Sequence, residues 1–183
     1  MKSISIFIGF ITTLVLSSCN KESDVLSVLH YEDQTLMFSH CLMEDWGAHT
    51  GTHYNMDFTI IGESVYFEKQ TDYAGRPYFV FSDSVDFFVL IELFSPGTEQ
   101  FTTGTFRKKS RDESFEEIAE EYIYRRFLFG TAQENFSAIE GNVKLVAFKN
   151  GTIRITFDVL LNNDNRVSGT YEGIPEYVEG YIF

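Results

Sequence analysis

The chain is poor in positive charge and in proline. The sequence has 14 lysine and arginine residues and 27 aspartate and glutamate residues, and the net charge is −13 at pH 7. A surface this negative repels phosphate backbones, so we predict no nucleic-acid partner. Only three prolines interrupt a sequence with 19 phenylalanines and 10 tyrosines. Because proline is tolerated poorly inside sheets and aromatic residues are enriched there, this composition favours β-structure.

Cysteine is almost absent, and the usual catalytic motifs are missing. The two cysteines are Cys19 and Cys41, and Cys41 lies in the apolar run 36–43. We interpret Cys41 as a small buried hydrophobic residue. The sequence contains no Gly-x-Ser-x-Gly elbow, no glycine-rich phosphate loop with lysine and no paired zinc cysteines. We therefore predict no cofactor and no catalytic residue, which favours a protein that is not an enzyme.

The first 19 residues read as an export signal. Lys2 precedes a mostly apolar run of 13 residues from Ile4 to Leu16. At ~1.5 Å per residue this run spans ~20 Å as a helix, which is short of the ~30 Å hydrocarbon core. It is followed by Ser17, Ser18 and Cys19, a sequence that resembles the lipobox of bacterial lipoproteins. We predict a signal peptide over residues 1–18 and lipidation, including palmitate-type acyl chains, at Cys19.

This lipidation would determine the cellular location of the protein. Two or three acyl chains anchor a protein stably to a bilayer, whereas one chain does not. We predict a membrane partner through Cys19, a lipidated tether over residues 19–34 and a single β domain over 35–183. Residues 20–24 are similar to the acidic export signal of Bacteroidota-type surface lipoproteins. The expected location is the outer membrane, with the cell surface and the periplasmic side left open.

Short apolar segments separated by turn residues continue along the chain. They are typical of strands, which we predict at 35–43, 54–61, 64–68, 78–81, 85–94, 101–106, 127–130, 143–148, 153–159, 166–172 and 177–183. Asn150 and Gly151 form a favoured hairpin turn, residues 162–165 form a second turn, and Gly169 is interpreted as a bulge. The fold class is all-β, an antiparallel β-sandwich, with a closed lipocalin-like barrel as the alternative.

One segment, near 112–124, has a helical pattern. Apolar residues recur at i, i+3, i+4 and i+7, starting from Phe115. Ser110 and Glu113 have the spacing of a capping box, and Glu121 is placed to pair with Arg125 one turn later. We predict one short helix here.

Three further patterns are similar to small Bacteroidota-type outer-envelope lipoproteins of unassigned function. They are residues 93–97 followed by 104–106, residues 140–145, and residues 155–159 together with 167–173. The resemblance covers about residues 85–173 and consists of turns, glycines and alternation. It implies a β-rich fold and an envelope location, and it carries over no catalytic residue.

Histidines and exposed aromatic rings provide the candidate binding residues. His49 and His53 are weak zinc candidates, because Thr50, Gly51 and Thr52 between them indicate an exposed polar loop. Trp46 lies in a polar stretch, and surface rings often stack on sugars. We therefore take Trp46, Tyr171 and Tyr177 as candidate ligand-binding residues, against the alternative that these rings fill the core.

These observations predict a membrane-anchored envelope lipoprotein. Its expected role is non-enzymatic binding of a glycan or of a partner protein in the envelope. Two alternatives stay open, a small hydrolase of envelope or dietary polymers and a lipocalin-like carrier of an apolar ligand.

Overall fold

The computed structural model describes residues 27–62, 67–71, 73, 75, 77–81 and 86–178. The predicted signal peptide and Cys19 lie outside these residues. The described residues contain twelve strands and no helix, and thus none that could span a membrane. The strands are β1 (Val28–Tyr31), β2 (Gln34–His49), β3 (His53–Gly62), β4 (Phe67–Thr71), β5 (Pro77–Phe81), β6 (Phe87–Pro96), β7 (Thr105–Lys108), β8 (Ile123–Thr131), β9 (Asn135–Ala147), β10 (Ile153–Leu161), β11 (Arg166–Gly173) and β12 (Glu176–Val178).

The main sheet closes on itself. Its order is β1-β11-β10-β9-β7-β8-β6-β3-β2, and β1 also pairs with β2. Val28, for example, lies opposite Thr170 of β11 and opposite Met37 of β2. The described strands therefore form a closed nine-stranded β-barrel, with β12 added in parallel to β2. This closure contradicts the preferred sandwich and matches the barrel alternative.

Irregular pairing bends the long strands around the barrel. The register shifts in β2, in β6 against β8, and in β10 against β9. Such bulges increase local twist and bend a strand, which lets a sheet curl until its edges meet. Alternation of apolar and polar residues is the same in a sandwich and in a barrel, so the sequence pattern alone could not separate the two.

The predicted helix at 112–124 is wrong. Residues 115–120 form turns, and Ile123 already begins β8. Phe115 and Ile118 do share one face, but they pack on Phe94 and Ile123 of the sheet. The expected partners also differ, because Glu121 pairs with Arg107 at 2.6 Å and Arg125 pairs with Glu92.

Other local predictions need smaller corrections. The tether was predicted to extend to residue 34, but β1 lies within it and pairs with β11. Gly169 is not a bulge, since it lies in regular register opposite Phe157. A Cβ atom at Gly169 would come within 2.7 Å of the Phe157 ring and of the Val28 carbonyl oxygen, so close packing explains this glycine. The last predicted strand is described only as β12, and residues 179–183 lie outside the described part.

The core fills the barrel. Inward side chains of β10 alternate with outward ones, so that Ile155, Phe157 and Val159 are buried between exposed neighbours. Cys41 belongs to this core and is buried as predicted, and burial raises the pKa of its thiol.

Candidate functional site

The barrel interior is lined by aromatic rings that meet across it. The Phe157 ring on β10 lies 5.1 Å from Phe127 of β8 and 6.3 Å from Phe38 of β2, measured between centroids. Tyr31 and Phe129 approach to 4.7 Å in the same way. These rings occupy the space that a carried ligand would need.

Tyr171 belongs to this interior, so its predicted role in ligand binding is wrong. It is 5% exposed and packs in the core, because it lies opposite Ile155 on the inward face of β11. Burial, with a smaller effect from Cys41, raises the pKa of Tyr171 to about 12. Residue type alone does not distinguish the two positions, because tyrosine occurs both in cores and on surfaces.

A different arrangement lies on the outside of β2, β3, β6 and β8. Asp57 of β3 is directly opposite Glu92 of β6, and Glu92 is opposite Arg126 of β8. Residues directly opposite in a ladder share one face of the sheet. Their neighbours Phe58 and Ile91 point into the core, so this face is the outer one. We call Trp46, Asn55, Asp57, Glu92 and Arg125 the outer polar row.

Asp57 is the centre of the row. Its carboxylate accepts a hydrogen bond from Asn55 Nδ2 at 2.9 Å and another from the Trp46 side chain. Asn55 is itself buried and also donates to the Leu93 carbonyl oxygen at 3.2 Å. Burial, and then the charge of Glu92, raises the pKa of Asp57 to about 6, against the lowering effects of Asn55, Trp46 and Arg125. A carboxyl group perturbed in this way is a marker of functional sites.

Glu92 is held by guanidinium groups. Arg125 Nε donates to Glu92 Oε2 at 2.9 Å, and Arg126 Nη1 lies 3.9 Å from Glu92 Oε1. The Arg125 guanidinium also lies 5.3 Å from the Phe94 ring centroid. Both arginine side chains are about half exposed, so Arg125 of the row and the adjacent Arg126 present positive charge to solvent in a strongly negative protein.

Trp46 projects from a bulge in β2. The pairing with β3 jumps from Asp45 to Gly47, and Gly47 has a φ of +74° that glycine adopts without strain. The Gly47 N–H donates to Asp45 Oδ1 at 3.0 Å and stabilises the turn. The result is an indole that is 45% exposed although it is hydrogen-bonded to Asp57.

Tyr177 is exposed too, at 48%, but belongs to another surface. It pairs with Met43, whose side chain packs against the core, so it faces away from the outer polar row. The structure therefore does not bring Trp46 and Tyr177 onto one face.

The two candidate zinc ligands do come together, though not around a metal position. His49 and His53 form a cross-strand pair, and both rings contact the Phe115 ring, with centroid distances of 4.9 and 5.2 Å. His53 is completely buried, so the predicted exposed loop is wrong for this residue. Its Nε2 lies 3.1 Å from the Glu121 carbonyl oxygen and its Nδ1 lies 2.9 Å from Thr52 Oγ1. Both ring nitrogens thus have protein partners, and the described residues hold no group of three or more metal-ligating side chains.

Sequence reasoning missed Asn55, Asp57 and Glu92. A signal was present, because polar residues occupy alternate positions 55, 57 and 59 of an otherwise apolar strand. Such alternation normally indicates a solvent-exposed face, so the sequence does not show that Asn55 and Thr59 are buried.

Comparison with protein families, with curated proteins and with solved structures finds no match for this chain.

Proposed function

We propose that this protein is a lipid-anchored envelope protein that binds a glycan on the outer polar row. The observation that carries the proposal is Trp46, an indole that is fixed by a hydrogen bond and still 45% exposed. A ring held in one orientation loses little conformational entropy on binding, which favours its use as a stacking platform for a sugar face.

The groups beside Trp46 supply hydrogen bonds of the right kind. Sugar hydroxyls both donate and accept, and the row offers the Asp57 and Glu92 carboxylates as acceptors and the Arg125 guanidinium as a donor. Hydrogen bonds to charged groups are stronger than those between neutral groups. The row spans four neighbouring strands, or about 14 Å at ~4.8 Å per step, which is the length of a short oligosaccharide.

A binding experiment with single substitutions tests this proposal. The full chain in detergent would be screened against a panel of soluble neutral polysaccharides by affinity electrophoresis, and ligands that retard it would be titrated by calorimetry. Trp46→Ala should abolish binding, whereas Phe148→Ala removes an aromatic side chain of similar exposure at another site and should leave it unchanged. Trp46→Phe should weaken binding, since it keeps a ring and loses the N–H. Equal binding by wild type and Trp46→Ala would contradict the proposal.

The anchor is tested separately. We expect Cys19→Ser to move the protein from the membrane fraction to the soluble fraction, and protease treatment of intact cells to show which side the domain faces. Retention of Cys19→Ser in the membrane fraction would contradict lipid anchoring and would leave the glycan proposal standing.

A second candidate, a small hydrolase, is favoured by one specific observation. Asp57 has a pKa of about 6, and its neighbour Glu92 is ion-paired with Arg125. A carboxyl group with a raised pKa beside a second carboxylate can serve as one member of an acid and base pair on a glycosidic bond. Release of reducing ends from a bound polysaccharide by wild type, and its loss in Asp57→Asn, would favour the hydrolase over the binding module. The carrier alternative is less favoured, because aromatic rings meet across the barrel.

A further inference from the structure

A loop covers an apolar cluster on the outside of the barrel, next to the outer polar row. We call residues 109–121 the cover loop. Its Phe115 and Ile118 pack on Phe94 of β6 and Ile123 of β8. This cluster is separate from the barrel core and has few members, so the hydrophobic free energy that holds the loop is small compared with that of the barrel.

His53 is buried beneath the cover loop and contacts two of its residues, Phe115 and Glu121. Its Nε2–H donates to the Glu121 carbonyl oxygen at 3.1 Å, and its Nδ1 accepts from Thr52 Oγ1 at 2.9 Å. The same ring packs edge-on against Phe115 at 5.2 Å. A side chain with no exposed surface thus holds the cover loop by one hydrogen bond to Glu121 and one ring contact with Phe115, and its hydrogen bond with Thr52 fixes the neutral tautomer.

We propose that the cover loop is an acid-sensitive latch that opens when His53 is protonated. A cation at this position has no water around it: protonated Nδ1 would donate to Thr52 Oγ1 in the reverse direction, and the buried imidazolium would have only these neutral protein partners in place of solvent. Opening lets His53 reach water and uncovers Phe94 and Ile123. The exposed Phe94 ring is the one that the Arg125 guanidinium contacts at 5.3 Å, so opening of the cover loop is linked to the outer polar row. The proposal does not rest on glycan binding.

The charges around the cluster decide the direction of the effect. The charged and titratable groups with a described contact at or beside the cluster are His49 on β2, Glu92 on β6, Arg107 on β7, Lys109, Glu113 and Glu121 in the cover loop, and Arg125 on β8. The loop also carries Arg111, Asp112, Glu116, Glu117 and Glu120. Burial lowers the pKa of His53 by more than the carbonyl oxygens of Glu121 and Ile118 raise it. The pKa of His49 is lowered by burial, then by Arg125 and His53, and raised by Glu92. Neither histidine therefore gains stability from protonation in the closed state.

The Arg107–Glu113 ion pair of the loop does not titrate in the same range. Arg107 Nη1 and Nη2 donate to the two carboxylate oxygens of Glu113 at 2.9 and 3.0 Å, and this contact lowers the pKa of Glu113 below its ordinary range. Because the closed state disfavours the histidine proton, closure is strongest above the ordinary histidine pKa of 6.5 and weakens as the pH falls below it.

Hydrogen exchange of the full chain in detergent at pH 7.5, 6.5 and 5.5 tests the latch. The Glu121 amide, which donates to the Ile118 carbonyl oxygen at 2.9 Å, reports closure, and amides of β10 serve as the internal reference. After correction for the intrinsic exchange rate, protection of residues 115–121 should fall by up to about tenfold per pH unit below pH 6.5, the limit for one proton. Protection of β10 should not change.

Two variants and one independent measurement separate the explanations. His53→Gln keeps a donor for Glu121 and cannot be protonated, so it should remove the pH dependence, while the matched His49→Gln should retain it. On the wild type alone, the His53 ring signals in a nuclear magnetic resonance titration should have their midpoint below the ordinary value of 6.5, which keeps the test valid if His53→Gln fails to fold. Unchanged loop protection from pH 7.5 to 5.5, a pH dependence that survives His53→Gln, or a His53 midpoint at or above 6.5 would overturn the proposal.

Discussion

The two faces of strand β3 differ in kind. Inward, Phe58 and Ile60 are buried among aromatic and aliphatic side chains of the barrel. Outward, Asn55 and Thr59 are also buried, and Asp57 between them is hydrogen-bonded and has a raised pKa. The outward face of a barrel strand is ordinarily wetted and tolerant. Here the interior provides stability through contact, while the outer face holds polar groups in place at a cost to stability, as expected of a functional surface.

The largest effect should come from opening the interior. Phe157→Ala removes a ring that contacts Phe38 and Phe127, and large-to-small changes of this type cost about 3–5 kcal/mol of unfolding free energy. The matched control is Phe148→Ala, at a ring that is 38% exposed, which should cost less than about 1 kcal/mol. Urea unfolding followed by circular dichroism measures both. Similar values for the two variants would mean that the interior is not tightly packed.

Overfilling the interior should have the next largest effect. A methyl group at Gly169 would collide with the Phe157 ring and with backbone, so we expect Gly169→Ala to cost about 1–3 kcal/mol. Ser168→Ala, at the next residue on the opposite face of β11, should change stability by no more than about 0.5 kcal/mol. The same unfolding assay decides, and a neutral Gly169→Ala would show that the barrel relaxes easily.

On the outer face we expect a substitution to increase the free energy of unfolding rather than to decrease it. Because burial raises the pKa of Asp57 to about 6 in the folded protein, above its ordinary value of 3.8, ionisation opposes folding at neutral pH, and this penalty declines as the pH falls from 6 to 3.8. Asp57→Asn should therefore stabilise the protein by about 1–2 kcal/mol at pH 7.5 and by roughly half as much at pH 5.

Asp158→Asn is the control for this prediction, since it removes a carboxylate on the exposed face of β10 that pairs with Arg166 at 2.8 Å. It should not stabilise the protein at either pH. Destabilisation by Asp57→Asn at pH 7.5 would show that the row is a structural network and not a site held at a cost.

The smallest effect is expected at Cys41. Its thiol is 2% exposed and burial raises its pKa, so a maleimide should not modify it in the native protein within hours. Peptide mass mapping before and after addition of urea measures this. Rapid native labelling would place Cys41 outside the dry interior.

The fold was largely predictable because its local signals agree with its tertiary structure. Alternation in 153–159 and the Asn150–Gly151 turn predict the β9–β10 hairpin, and both strands are present. Closure was not predictable, since it depends on β1 pairing with both β2 and β11. The helix prediction was wrong for a related reason. Residues 115–120 form turns, and these turns also place Phe115 and Ile118 together against Phe94, as a helix would have done.

The candidate site was predictable only in part. Trp46 stands out because its polar neighbours in the sequence indicate a surface position. Asp57 and Glu92 lie on different strands, and only the register of β3 with β6 makes them neighbours. The exposed position predicted for His53 is wrong, since residues 50–52 form the expected turn while the ring itself is buried under the cover loop.

The most direct test of the account uses the single tryptophan of the chain as its own reporter. Trp46 is the only tryptophan, so the fluorescence of the full chain in detergent reports on the outer polar row alone. Titration with a neutral oligosaccharide selected in the binding screen should shift its emission and saturate, and Asp57→Asn should alter the affinity. An unchanged emission spectrum at saturating oligosaccharide, with binding still detected by calorimetry, would place the ligand elsewhere and contradict the account.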